Sequence, residues 1–418
     1  MASFVINGGR RLNGSIKAQG AKNSALPILA ATYLVKGKSV IHNCPRLSDV
    51  ESTIKILENL GCKIIRQGND LVIDSSDAFG YEIPEFLMRE MRSSVIFLGA
   101  ILGKTGKAKI STPGGCEIGL RPIDLHLFAM RKLGVSIVEE HGKLECSIPK
   151  KLKGTKITLT FPSVGATENA ILASSVADGV TTIINAAREP EIIDLCDFLN
   201  KCGAKISGAG ESIIVIEGVK DLRATEHSVM CDRIVAATYL FAGAITGGDV
   251  VLKNTAPQYL NSILPVLEET GCEISIKCNE IRLKAPLRLK RIDKLITQPY
   301  PGFPTDAQAP VMTLATVAEG TSVIVENIFE SRFKHVPELL RMGAKIRTEG
   351  RVAVIDGVKR LYGASVVSPD LRGGSALVLA GLSAVGTTEV SCIKHIDRGY
   401  ENFENNLCMM NADIIRME

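Results

Sequence analysis

One pattern of apolar and polar positions recurs six times along this chain. The string Leu-x-x-x-Gly-x-x-Ile occurs at Leu57 to Ile64, Leu199 to Ile206, Leu267 to Ile274 and Leu339 to Ile346, and with Met for Leu at Met130 to Ile137. A sixth copy, Leu407 to Ile414, has Asn411 in the glycine position. The marked residues Gly61, Gly134, Gly203, Gly271, Gly343 and Asn411 lie 68 to 73 residues apart. Asn is the residue besides Gly that best tolerates positive φ, so each copy predicts a helix, a left-handed stop and then a strand.

A second marker precedes each first one. An apolar helix rich in Ala, Leu and Ser ends near a glycine and gives way to a β-branched run, as in GKSVI from Gly37, GVTTII from Gly179 and GTSVIV from Gly320; GKAKI from Gly106 is the weakest copy. These helices lack a wide polar face and should be buried between layers. Short alternating strands follow, such as Ile213 to Ile216 and Val352 to Ile355. The predicted unit is β-α-β-α-β-β, and chance spacing does not yield six near-even copies with two markers each. Its period exceeds that of common solenoids, which favours closed domains of three units over a rod. The midpoint falls near Ser228 to Asp232, so residues 21–229 are expected to form one domain and residues 1–20 with 230–418 the other. A strand before Gly20 would complete the last unit. Two crossings between domains would then flank a cleft holding the site.

Composition narrows the class. A chain of 418 residues, 45% hydrophobic and 22% charged, suits a globular protein of two or more domains. The longest apolar runs, such as Ser375 to Val385, are about half the ~20 residues that cross a bilayer, and the N-terminus lacks the apolar core of a signal peptide. Eleven cysteines without a CxxC pair argue against a disulfide framework and a zinc site, and fit a reducing cytoplasm. A net charge of +4 is too small for a nucleic-acid footprint. No membrane insertion, metal or organic cofactor is expected, and no Walker loop or GxGxxG occurs.

Candidate chemistry centres on Thr112 to His126, TPGGCEIGLRPIDLH. Its glycines and proline predict a mobile loop, which removes Cys116 from the usual role of a small core hydrophobe. Arg121 and His126 stand close enough in sequence to tune its thiol. Several charged segments precede the buried helices, where a helix N-terminus receives anions: Lys22 with Asn23, Arg92, Ser163 with Val164, Asp306, and Asp370 to Arg372. Equivalent ends of equivalent units gather Lys22, Arg92, Arg121, Arg372 and Arg398 against Asp306, Asp370 and Cys116. Arg binds phosphate and carboxylate bidentately, and Lys adds point charge, so the set suits a multiply anionic, phosphorylated substrate. Each charge taken alone also reads as a solvated helix-end residue.

These motifs together resemble a known family. GAKNSALPILAA, MRSSVIFLGA, PGGCEIGLRPIDLHL, SVGATENAILA, FPTDAQAP, ENIFESRFKHVPEL, DLRGGSALVLAGLSA and HIDRGYENF run through the whole chain and are similar to those of the UDP-N-acetylglucosamine 1-carboxyvinyltransferases. Those enzymes share a fold with 5-enolpyruvylshikimate-3-phosphate synthase. The resemblance implies a two-domain inside-out α/β barrel of six repeats, three per domain. It also implies transfer of the enolpyruvyl group of phosphoenolpyruvate to UDP-N-acetylglucosamine, the first committed step of peptidoglycan synthesis.

By resemblance, Lys22, Asn23, Arg121, Arg372 and Arg398 would hold phosphoenolpyruvate. Arg92, Arg121, Pro122, Ile123, Asp124, Leu125, Ser163, Val164, Asp306 and Ile328 would contact the UDP-sugar, and Asp370 and Leu371 would touch the enolpyruvyl group on closure. Cys116, Asp306, Lys22 and Arg398 would be catalytic. Cys116 would protonate the vinyl carbon and form a phospholactoyl thioether (the O-phosphothioketal of S-cysteinyl pyruvate); an epoxide phosphonate such as fosfomycin should alkylate it. Some relatives carry a Lys just ahead of SVGAT, where this chain has Phe161 and Pro162.

Residue chemistry agrees with that reading. Adding an alcohol to an enol phosphate needs a base at the hydroxyl and an acid at the vinyl carbon, which Asp306 and Cys116 supply by type. The cations stabilise the charge that develops between them. Three alternatives remain at this stage. The shikimate-pathway synthase shares the fold but lacks the PGGC loop. A non-catalytic repeat protein binding nucleotide sugars would not turn over phosphoenolpyruvate. A Cys-dependent hydrolase would need a His and an orienting amide or carboxylate beside Cys116.

Overall fold

The computed structural model describes residues 2–113 and 122–418. All six marked residues have positive φ, from 91° to 99° at the five glycines and 74° at Asn411. The described strands form five four-stranded sheets and one three-stranded sheet. The fold is mixed α/β.

The sheets share one plan. In the first, Lys38–His42 pairs parallel with Glu226–Ser228 and antiparallel with Asp70–Asp74, which pairs with Lys63–Gln67. A helix, Lys22–Leu34, precedes the parallel-paired strand, and a second, Ser48–Asn59, follows it. The three-stranded sheet keeps Lys107–Ser111, Lys143–Ser147 and Ser136–Glu140. Its fourth strand is reduced to a single bridge between Glu82 and Lys109. Pro84, two residues on, has no N–H to extend a ladder and instead precedes the helix Glu85–Glu90.

Before Gly20 the chain forms two strands, where one was expected. Ser3–Asn7 lies between Thr387–Ser391 and Ile414–Met417, and Asn13–Lys17 pairs parallel with Asp249–Lys253.

The chain divides into two compact units. Among the described residues, one holds 20–113 and 122–230, from Gly20 to Met230; the other joins the residues up to Gln19 with Cys231–Glu418. Each has its own apolar core. In the first unit the helices Lys22–Leu34, Phe97–Thr105 and Val164–Ser174 pack on one another beneath three sheets. In the second, Arg233–Ile245, Gln308–Ala315 and Leu371–Ser383 do the same. Every residue of Arg233–Ile245 is buried.

Small residues and one buried amide set the helix spacing. A Cβ on Gly99 would lie 2.4 Å from the Asn169 carbonyl oxygen. Gly99 N–H donates to Asn169 Oδ1 (2.7 Å), and Asn169 Nδ2 donates to the Val95 carbonyl (2.9 Å). Two backbone bonds flank the places where the chain leaves one unit for the other: Ala21 N–H to the Met230 carbonyl within one and Asp232 N–H to the Gln19 carbonyl within the other, both 2.8 Å. Gly20 between them admits no side chain, because a Cβ would meet the Asn43 carbonyl at 1.8 Å.

Candidate active site

The Gly20–Met230 unit carries the first group of predicted residues. Lys22 opens its helix and is buried, with Nζ 2.9 Å from Asp49 Oδ2. Asn23 is half-buried beside it. Arg92, also half-buried, opens the 3-10 turn Arg92–Ile96 that leads into Phe97–Thr105. Ser163 caps Val164–Ser174, its hydroxyl accepting from Ala166 N–H at 3.4 Å, and Val164 is half-buried. Phe161, where some relatives carry Lys, is exposed.

Cys116 and Arg121 lie outside the described residues. The loop expected over Thr112 to His126 stops short of its end: Asp124–Lys132 is a helix, which places Leu125 and His126 on it. Pro122 and Asp124 are exposed, Ile123 and Leu125 half-buried. His126 is buried, with Nδ1 2.7 Å from Asn169 Nδ2. Gly99 N–H can only donate, which fixes Asn169 Oδ1 as its acceptor and Nδ2 as a donor, so His126 Nδ1 must accept. Through Nδ1, His126 is tied to the packing of these helices. Burial also pushes the thiols of Cys62 and Cys146 up to about 11 and those of Cys196 and Cys202 to about 12, which suppresses their thiolates.

The second unit brings Asp306, Asp370, Arg372 and Ile328 together. Asp306 Oδ1 accepts from Arg332 Nη2 at 2.8 Å and Arg372 Nε at 3.3 Å. Both arginines are buried, whereas the Asp306 side chain is 33% exposed, so buried cations hold a carboxylate that remains partly accessible to solvent. Burial works against the Arg372 charge, but Asp306, Tyr400 and Asp232 outweigh it and raise its pKa. Arg372 Nη1 also donates to the Tyr400 hydroxyl at 3.2 Å. The sequence read Arg372 as a substrate-facing cation; in the structure its guanidinium bonds to Asp306 and Tyr400.

Asp370 caps the helix Leu371–Ser383, its Oδ1 accepting from the N–H groups of Arg372 (2.9 Å) and Gly373 (3.1 Å). A Cβ on Gly399 would lie 2.8 Å from Leu371, so this turn packs directly beside half-buried Arg398. Ile328 is tied to Asp306 through buried Glu326. Glu326 Oε1 accepts from Ile328 N–H at 2.8 Å and Phe329 N–H at 3.1 Å, while Oε2 accepts from the Thr305 hydroxyl at 2.9 Å. His335 is fully buried against this group, and burial pushes its imidazole down to about 4, with Asp370 opposing and Arg332 assisting the shift.

Comparison with known proteins now gives these clusters a context. The family model for EPSP synthase (3-phosphoshikimate 1-carboxyvinyltransferase) matches residues 6–407. The UDP-N-acetylglucosamine 1-carboxyvinyltransferase 2 of Caldanaerobacter subterraneus is 53% identical over 100% of both chains. That of Geobacter metallireducens is 48% identical, again over 100% of both. The chain belongs to the UDP-N-acetylglucosamine 1-carboxyvinyltransferase branch of the EPSP synthase family. Among solved structures, the enolpyruvyl transferase NikO from Streptomyces tendae matches with a TM-score of 0.91 at 24% identity, covering 100% of this chain and 99% of its own. An EPSP synthase from Acinetobacter baumannii matches with a TM-score of 0.78 at 20% identity over all of both chains. At these identities the likeness is one of fold.

Sequence reasoning missed several residues of these carboxyvinyltransferase clusters. Asp49, Glu326, Arg332, His335 and Tyr400 each contact a predicted residue or its neighbour. Arg332 and His335 lie within the motif ENIFESRFKHVPEL, where their charge and ring were visible but their partners were not. Among the described residues, no group of three or more His, Cys, Asp or Glu is arranged to hold a metal ion. No helix of the described chain is long and apolar enough to cross a membrane.

Proposed function

We propose that this chain transfers the enolpyruvyl group of phosphoenolpyruvate to the 3-hydroxyl of UDP-N-acetylglucosamine and releases phosphate. The observation that carries the reading is about half identity, over full length, with carboxyvinyltransferases of that name. The paired Lys22–Asp49 group and the Asp306–Arg332–Arg372 group support it, because they supply the cations and the carboxylate that the chemistry requires. The physiological role would be the first committed step of peptidoglycan synthesis, in the cytoplasm. We read the six sheets over six buried helices as an inside-out α/β barrel of six repeats, and the two compact units as its two domains.

The reaction is an addition followed by an elimination. Asp306 takes the proton of the sugar 3-hydroxyl as its oxygen bonds to C2 of phosphoenolpyruvate, while the Cys116 thiol donates a proton to C3. The arginines beneath Asp306 fix its direction, so that little reorganisation accompanies charge movement. Lys22, Asn23, Arg121 and Arg398 bind the phosphate and carboxylate of phosphoenolpyruvate. The tetrahedral adduct then loses a C3 proton and phosphate, which restores the double bond as an enol ether. Addition of the Cys116 S–H across the same double bond, sulfur to C2 and its proton to C3, gives the phospholactoyl thioether instead.

Phosphate release from phosphoenolpyruvate should depend on UDP-N-acetylglucosamine, and Cys116→Ala should lower it about 100-fold or more, the scale of general-acid catalysis. Release with shikimate-3-phosphate, and none with the nucleotide sugar, would overturn the assignment.

A further inference from the structure

A second buried network lies behind the Lys22–Asn23 turn, and its centre is a residue that the reaction itself does not use. Asp194, on the helix Pro190–Lys201, receives three donors. Its Oδ2 accepts from the Ser24 hydroxyl and from Met230 N–H at 3.0 Å. Its Oδ1 stands 2.9 Å from His227 Nε2. A carboxylate only accepts, so His227 carries its proton on Nε2 and presents the Nδ1 lone pair to Lys201 Nζ, 3.2 Å away. Ser24, Asp194 and His227 are all buried, and Phe198 meets the imidazole edge-on at 5.6 Å between centroids.

What this network holds is specific. Ser24 follows Lys22 and Asn23 directly, in the first turn of a helix whose N-cap, Ala21, provides no side-chain cap and whose first turn has no acidic residue. Met230, the second donor, accepts from Ala21 N–H through its carbonyl. One carboxylate therefore grips the turn from both sides: through Ser24 after it and through Met230 before it. Its negative charge near a helix N-terminus also complements the helix dipole. Lys22 is itself paired with Asp49, so its side chain and its backbone are fixed by two different acids.

We propose that Asp194, acting through Ser24 and Met230 and oriented by His227, is a positioning residue for phosphoenolpyruvate. It sets the backbone of the Lys22–Asn23 turn that receives the substrate's anionic groups. This rests on the function proposed above.

Asp194→Asn and Ser24→Ala test it. In Asp194→Asn, an amide oxygen facing Ser24 and Met230 puts Nδ2 toward His227 Nε2. Accepting that donor would require the other tautomer, whose Nδ1–H opposes the Lys201 ammonium. Steady-state kinetics should show the KM for phosphoenolpyruvate raised roughly 5- to 20-fold in Asp194→Asn and roughly 3-fold or more in Ser24→Ala, the scale of one broken buried hydrogen bond. The KM for UDP-N-acetylglucosamine should stay within about twofold, a split that a general loss of stability does not produce. Calorimetric binding of phosphoenolpyruvate reads the same turn without turnover. Unchanged phosphoenolpyruvate KM and affinity in Ser24→Ala, or equal rises in both KM values, would overturn the proposal, and Ser24→Ala keeps the test open if Asp194→Asn does not fold. A parent protein with normal turnover and unaffected variants sinks this inference alone. A parent that neither turns over nor binds phosphoenolpyruvate removes the function and this inference with it.

Discussion

At the scale of single residues, two buried titratable groups oppose each other in how they couple folding to pH. His335 sits neutral beneath Asp370 and Arg332, pushed down to about 4 from an ordinary 6.5 by burial. Between those values the unfolded chain binds a proton that the folded chain refuses, so this contribution is full above pH 6.5 and is lost as pH falls toward 4. Glu168 behaves in the reverse sense. Its burial, with Glu191 and Glu189 nearby, raises its pKa well above 4.5, so its contribution is present below 4.5 and is lost as pH rises through the folded value. We expect His335→Leu to flatten the loss of stability between pH 6.5 and 5, and Glu168→Gln to remove a loss on the alkaline side. Urea midpoints across pH 5 to 8 measure both. A His335→Leu variant with the parent's slope between pH 6.5 and 5 would show that this imidazole takes up its proton equally well when folded.

Elements follow from local rules where the controlling atoms are near in sequence. The left-handed stops were legible because nearest-neighbour sterics decide which residues tolerate positive φ. The three buried helices of each unit were legible because their sequences offer no polar face. How closely they approach was not, because that depends on which residue meets which. Gly99 is an ordinary helix glycine until its Cα stands against the Asn169 backbone. We expect Gly99→Ala to cost about 1–3 kcal/mol by forcing the helices Phe97–Thr105 and Val164–Ser174 apart, despite the better helix propensity of Ala. It should also disturb His126, which shares the Asn169 amide. Denaturant melts report the first effect; an equal or raised midpoint would show that the helices can separate without cost.

For the whole molecule, the sheet plan makes the two units unequal in what they need from the chain. All strands of the three sheets in the Gly20–Met230 unit come from within it. The other unit borrows Ser3–Asn7 and Asn13–Lys17, the first of which is an inner strand. A fragment of residues 20–230 should therefore fold alone, whereas 231–418 should expose unpaired strand edges and aggregate. Fusing residues 2–19 to the second fragment should restore solubility. Cooperative urea unfolding of 231–418 by itself would show that these two strands are dispensable.

The candidate site divides along the same line between near and far. Sequence named Lys22, Asp306, Asp370 and Arg372, because charge type and placement before a buried helix are properties of short segments, and Arg398 through the motif HIDRGYENF. It could not name Asp49 as the Lys22 partner, Arg332 as the cation under Asp306, or Asp194 as the acid behind the Lys22 turn. Asp194 meets Ser24 across 170 residues, and Arg372 meets Asp306 across 66. By itself the sequence determined the six left-handed helix stops and the chemical types at the helix starts, which are set by backbone sterics and side-chain identity within a few residues. Only the tertiary structure decided which charges are paired and buried, and which sheet receives the N-terminal strands. Those outcomes depend on hydrogen bonds and ion pairs between residues that no local rule brings together.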